Sequence, residues 1–188
     1  CVGAFLLGAD NNEPLPEKFK ALMALAEKGD SKAQFEIGWR YFRGQGLKKN
    51  LEESAQWTRK AAAQGHTRAQ SSMGWMYLHG QGLKRNAKEA LNWFNKAAAK
   101  DDAYAMHQLG SMYRDGNGVT KDEAKALDWF KQAAETGDSR SQHQLGWMYE
   151  SGQLVKNDFA EAANWYRKAA AQNSYSAQYS LGKMYAAG

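Results

Sequence analysis

The sequence predicts an all-α protein, a right-handed α/α superhelix (solenoid) of 36-residue helix-turn-helix repeats. Three observations predict it. Glycine recurs at Gly38, Gly74, Gly110, Gly146 and Gly182, and tryptophan at Trp57, Trp93, Trp129 and Trp165, with every step equal to 36 residues. Self-similarity at a fixed period of this size marks a stacked repeat. The 188-residue chain holds two prolines and seven tryptophans, a helical composition with bulky packing anchors. Within each repeat the apolar positions follow the helical period rather than strand alternation.

Residues 1–9 are apolar and end in small residues before a polar segment, residues 10–16, which reads as a linker. That pattern resembles the end of a secretory signal peptide, with cleavage after Ala9. Acylation at Cys1 and an apolar cap helix are the alternatives for this segment. Residues 17–30 align with the second half of a repeat, with Ala21 where Trp57 would stand, and read as an N-terminal capping helix. The array proper is 31–188, in units 31–66, 67–102, 103–138 and 139–174 and a partial unit 175–188. Five units exceed the roughly three that a solenoid needs to build a continuous core.

The first helix of a unit spans residues 31–43. Its positions 33, 34, 37, 38, 40 and 41 recur as small or apolar residues and share one side at 100° per residue. Gly38 and its equivalents lie inside this helix, where glycine costs about 1 kcal/mol relative to alanine. Their recurrence implies close approach by a neighbouring helix, and the Trp57 series is the expected neighbour. The turn follows, with Gly44, Gly80, Gly116 and Gly152 suited to the left-handed position that ends a helix. Leu47, Leu83, Val119 and Val155 can plug the core there. Leu154 replaces the second turn glycine (Gly46, Gly82, Gly118), so the fourth turn should differ locally. Asn50, Asn86, Asp122 and Asp158 are good N-caps for the second helix. Glu53, Glu89 and Glu161, three residues on, would complete capping boxes, with Lys125 breaking the pattern. The second helix, 51–64, buries Ser54, Trp57, Thr58, Ala61 and Ala62 as a stripe. Truncation of a core tryptophan such as Trp93 to alanine is expected to cost about 3–5 kcal/mol.

Composition excludes several classes. The net charge of +5 is mild for this length and does not by itself argue for nucleic acid, whose binders usually show a concentrated basic face. The single cysteine, Cys1, rules out an internal disulfide framework. No run approaches the ~20 apolar residues of a membrane span. No metal or cofactor site is expected. His107 and His143 occupy equivalent positions 36 apart, but two histidines without a further ligand make an incomplete site, and they read as exposed polar residues. Cys1 has no assignable base for nucleophilic work. The segment from Gly44 to Gly46 follows a helix rather than a strand, so it reads as a turn and not a phosphate loop.

Function is sought instead on the face of the first helix opposite its core stripe, at positions spaced i, i+4, i+7. These read Phe35, Trp39, Phe42, then Ser71, Trp75, Leu78, then His107, Ser111, Arg114, then His143, Trp147, Glu150. They vary between units while the core positions do not. In a solenoid the first helices line the concave surface, and large aromatics there have the character of interface anchors. Packing of the tryptophans between neighbouring first helices is the rival account of the same residues. Lys48, Lys49, Lys84, Arg85, Lys121 and Lys156 recur at the turn and read as a solvated basic rim, with attraction to an acidic partner, lipid head group or nucleic acid as the alternative.

One unit runs Ala105, Leu109, Gly110, Met112, Tyr113, Gly116, Gly118, Val119, then Ala126, Trp129, Ala133, Ala134 and Gly137. This pattern resembles the Sel-one-like repeat family, relatives of the tetratricopeptide repeats, over about residues 17–188. Asp101 and Asn173 depart from it where other units end in glycine. The resemblance implies a non-catalytic adaptor or scaffold, bacterial and exported to the periplasm or beyond, or cytoplasmic if residues 1–9 are not a signal remnant. The expected partner is a protein or peptide, with no nucleic acid and no membrane span, and the chain is expected to be monomeric. On this reading Phe35, Trp39, Phe42, Trp75, Leu78 and Trp147 anchor the partner, while His107, Arg114, His143 and Glu150 orient it. The alternatives are a cell-envelope ligand-binding protein or hydrolase acting on cell-wall material, and a spacer within a longer array.

Overall fold

The computed structural model describes residues 17–187, in which every regular element is an α-helix. The expectations for residues 1–9, for the linker at 10–16 and for Cys1 lie outside the described residues. The elements are α1 (Glu17–Glu27), α2 (Ser31–Arg43), α3 (Leu51–Ala63), α4 (Thr67–His79), α5 (Ala87–Ala98), α6 (Ala103–Asp115), α7 (Glu123–Glu135), α8 (Ser139–Ser151), α9 (Phe159–Ala170) and α10 (Tyr175–Ala187). They form two compact units divided between Ala97 and Ala98, the first built from α1 to α5 and the second from α6 to α10. Within the first unit α2 packs on α1 and α3, and α4 packs on α3. Within the second, α8 packs on α7 and α9, and α10 on α9.

Local chemistry sets the helix ends. Asp30, His66, Asp102 and Asp138 cap the first helices, each side chain accepting the backbone N–H three residues on. Gly44, Gly80, Gly116 and Gly152 close them in the left-handed conformation at φ 66–72°. Asn50, Asp122 and Asp158 cap the second helices as expected. The capping boxes are not closed, however. The N–H groups of Asn50, Asn86, Asp122 and Asp158 donate to the carbonyls of Tyr41, Tyr77, Tyr113 and Tyr149 at 2.9–3.0 Å. These donors are taken by the preceding helix, so no glutamate is needed there, and Lys125 breaks nothing. Leu154 adopts φ 67° and Asp101 φ 59°, left-handed values that glycine holds in the sister repeats.

The helical glycines are corrected in one respect. A Cβ at Gly74 would stand 2.6 Å from the Phe94 ring, at Gly110 2.9 Å from Phe130, and at Gly146 2.5 Å from Tyr166. The ring each glycine admits is therefore the residue after the tryptophan. In the first repeat that residue is Thr58, whose Oγ1 would lie 2.6 Å from a Cβ on Gly38. Phe94, Phe130 and Tyr166 are fully buried. Trp57 is buried, but Trp93, Trp129 and Trp165 are only half-buried. Lys60, Lys96 and Lys168 cover Trp57, Trp93 and Trp165 at 3.8, 4.3 and 3.9 Å from the ring centres. The expectation that Trp93 carries a full core truncation cost passes to Phe94.

Position 34 is also not apolar. Gln34, Gln70 and Gln142 are buried, and their Nε2 groups donate to the carbonyls of Ala26, Ala62 and Ala134 at 2.9–3.2 Å. Buried amides of this kind are tolerated because they satisfy the open carbonyls at the end of the preceding helix.

Candidate functional site

In the first unit the outward positions of α2 and α4 form a continuous aromatic row. Trp39 stacks on Phe42 at 5.8 Å, and Phe42 meets Trp75 edge to face at 5.5 Å. Trp75 in turn lies 5.0 Å from His79. The row follows from helical spacing, since 39 and 42 are one turn apart on α2, and 75 and 79 one turn apart on α4. Arg43 lies over the Trp39 ring at 4.9 Å. Trp39 is 40% exposed, whereas Phe42 and Trp75 are half-buried. Leu78 is buried rather than facing solvent. Phe35 stacks on the His66 ring at 4.9 Å. Trp75 thus packs between neighbouring first helices, while Trp39 remains open to contact.

Of the corresponding positions in the second unit, His107, Arg114, His143 and Glu150 are polar and internally bonded. His107 Nδ1 lies 2.8 Å from Ser141 Oγ, and Ser141 donates its hydroxyl proton to Asp138 Oδ1 at 2.8 Å. A hydroxyl has one proton, so His107 Nδ1–H is the donor to Ser141. A nucleophilic serine needs the opposite polarity, with the base accepting its proton. Ser141 is also fully buried. Burial holds His107 below its ordinary pKa, against the pull of Asp138. Burial alone would raise Asp138, but the Arg140 guanidinium and the N–H and O–H of Ser141 outweigh it and hold the carboxyl low.

His143 Nε2 lies 3.4 Å from Ser180 Oγ, and burial lowers its pKa. Tyr166 donates to Glu150 Oε2 at 2.5 Å, and its pKa is raised by burial and by that acceptor. Arg114 is held by the neighbouring Asp115 carboxylate at 2.7 and 3.0 Å. Trp147 is 40% exposed.

The two histidines are therefore not exposed polar residues, as expected from sequence, but half-buried members of hydrogen-bonded pairs that join successive repeats. Among the described residues no group of three His, Cys, Asp or Glu side chains is placed to hold a metal. No helix among them is long and apolar enough to cross a membrane. Ser141, Tyr166 and Ser180 were not singled out as partners from sequence. Tyr166 carried a usable signal, because Phe94, Phe130 and Tyr166 also recur at 36 residues, one position after the tryptophans.

The family model described as Sel1 repeat matches residues 31–66, 67–102, 103–138, 139–174 and 176–188. Among solved structures, a protective antigen of uropathogenic Escherichia coli strains displaying an SLR fold is 40% identical, with a TM-score of 0.84 over 89% of this chain and 36% of that one. A Sel1 repeat protein from Oxalobacter formigenes is 33% identical, with a TM-score of 0.80 over 89% of this chain and 75% of that one. The secretory immunoglobulin A-binding protein EsiB of Escherichia coli is 42% identical over 55 residues, which are 29% of this chain and 10% of that protein.

Proposed function

The chain belongs to the Sel1 repeat family, whose members are generally protein-interaction scaffolds, and from that premise we propose that it is a non-catalytic module binding a protein or peptide segment on the faces of its first helices. The observation that carries this reading is the aromatic row of Trp39, Phe42 and Trp75 with Trp39 left 40% exposed. A stacked, rotamer-poor ring at a varying position of an otherwise regular repeat supplies contact area with little entropy to lose. Phe35, stacked on His66, and the buried Leu78 complete the outward positions of α2 and α4. In the second unit Trp147 offers a further aromatic contact, and His107, Arg114, His143 and Glu150 present polar groups whose geometry is already fixed by internal bonds. The relatives are bacterial, one of them described as a protective antigen, and an exported place of action fits both that description and the apolar residues 1–9.

The test is a peptide library selected against the intact chain. Peptides it retains should lose binding to Trp39→Ala, with circular dichroism and melting temperature unchanged. Peptides that bind Trp39→Ala as well as the native chain would place the interface elsewhere.

A further inference from the structure

The turn edge of the first unit holds an open pocket of about 460 Å³ that the first-helix reading does not use. Two successive repeats build it. Arg59 comes from α3, Tyr77 from the end of α4, Lys84 and Arg85 from the following turn, and Glu89 from the first turn of α5. Arg59 Nη2 donates to the Tyr77 hydroxyl at 3.1 Å. The tyrosine's own proton is thereby left for an outside acceptor.

The residues around the pocket include two arginines, a lysine and a tyrosine, with Leu83 and Asn86, against the single carboxylate of Glu89. Among the described residues none of the three cations forms an ion pair. The end of α5 is not the source of this character, because Asn86 Oδ1 already accepts the N–H groups of Lys88 and Glu89 at 3.1 and 3.2 Å.

The repeat register shows that the fold does not require these cations. The positions of Arg59, Lys84 and Arg85 read Met23, Lys48 and Lys49 one repeat earlier. They read Asn95, Thr120 and Lys121 one repeat later, and Lys131, Lys156 and Asn157 after that. Around Tyr41, Tyr113 and Tyr149, whose turns are present in the sequence, these positions hold two, one and two basic residues, against three around Tyr77.

We propose that this pocket binds a phosphate group. A phosphate carries up to two charges and tetrahedral oxygens, and so can engage cations that line one pocket from two repeats. A carboxylate presents one charge and one two-oxygen edge, which a single arginine satisfies. The cations are exposed, so binding is modest and weakens with salt. The inference stands apart from the first-helix reading, and its test reads different residues.

The intact chain, labelled with nitrogen-15, is titrated with sodium pyrophosphate and separately with succinate at constant ionic strength. Expected are saturable shifts of the amides of residues 83–89 and of the Arg59 side chain with pyrophosphate, and none that saturate with succinate. Arg59→Gln and Lys84→Gln should each weaken binding about three- to tenfold, the scale of one charge-assisted hydrogen bond at an exposed site. Lys48→Gln, on the neighbouring turn, should leave it unchanged. Melting temperatures report whether each variant folds, and the two site variants check one another. Cosedimentation with phosphatidylglycerol vesicles distinguishes the source: binding lost in both site variants assigns the phosphate to a lipid head group, and its absence beside pyrophosphate binding assigns a soluble one. No saturation with either probe, an equal response to succinate, or an equal loss in Lys48→Gln would overturn the proposal in favour of general basic charge.

Discussion

At Gly74 a methyl group would stand 2.6 Å from two carbons of the Phe94 ring, which is itself fully buried and cannot retreat. Helix propensity favours alanine over glycine by about 1 kcal/mol, but overpacking costs about 1–3 kcal/mol and decides the sign. Gly74→Ala should therefore lower the urea midpoint, and an unchanged or raised midpoint would contradict the packing. The penalty should vanish in a Phe94→Ala background, so a double-mutant cycle reads the contact directly. Phe94→Ala alone should cost about 3–5 kcal/mol. Trp93→Ala, which removes a half-buried ring beneath Lys96, should cost about 1–2 kcal/mol. Adjacent aromatic residues thus differ in consequence because Phe94 fills the glycine notch and is fully buried, whereas Trp93 packs half-buried against the cluster of Ala55, Ala61, Ala62, Ala69, Met73 and Met76.

At the scale of elements, helix ends carry the variation between repeats. Asp101 holds φ 59° where Gly29, Gly65 and Gly137 hold φ 100°, 83° and 97°. Asp101→Gly should raise stability by about 1 kcal/mol, the cost of a left-handed non-glycine residue. Gly137→Ala should lower it by a similar amount, since nothing lies within 4 Å of its added Cβ and only the backbone objects. Thermal unfolding of both variants checks the pair. The caps differ in a way that pH reads. His66 Nδ1 accepts the Ala69 N–H at 3.2 Å where the sister helices use aspartate. Burial, with Arg68 and Lys32 nearby, lowers its pKa against the weaker opposing pull of its own backbone hydrogen bond and Asp30. A protonated Nδ1 is a donor and cannot cap. His66→Asp should therefore keep the cap at acid pH and flatten the fall of the first unit's stability with acidity. An unchanged pH profile would show that the cap carries no such linkage.

Across the molecule the same sign recurs. His66, His107 and His143 all have pKa values below the ordinary 6.5, in each case with burial as the largest cause. The charges facing them differ, with Asp138, Arg140 and Arg114 around His107 and Glu150 beside His143. The unfolded chain then binds more protons than the folded one just below that value. Stability from these groups is complete above pH 6.5 and falls as pH drops through the lowered folded values. Denaturant midpoints measured from pH 7.5 to 5 should decline in both units, and His143→Gln, which keeps a side chain able to reach Ser180, should reduce the decline in the second. A midpoint rising toward pH 5 would reverse the assignment. The mild positive charge of +5 plays no part in this, since it bears on partners and solubility rather than on fold.

The sequence by itself determined the 36-residue period, the extent of α2 as 31–43, the left-handed glycines of the turns and the caps of the second helices. The period is read directly from self-similarity, and the helix extent, turns and caps rest on interactions within a few residues of the chain, which local chemistry encodes. It also placed Trp39 and Trp75 on the outward side of the first helices, at equivalent positions 36 residues apart, which is why the aromatic row was legible. Only the tertiary structure decided that Phe94 rather than Trp93 fills the Gly74 notch, since a one-residue difference of 100° around α5 is settled by the neighbour it meets. The His107–Ser141 and Tyr166–Glu150 pairs join positions 34 and 16 residues apart. Their chemistry was present in the sequence as isolated polar residues; the stacking of one repeat on the next brought His107 to Ser141, and the packing of α9 on α8 within one repeat brought Tyr166 to Glu150.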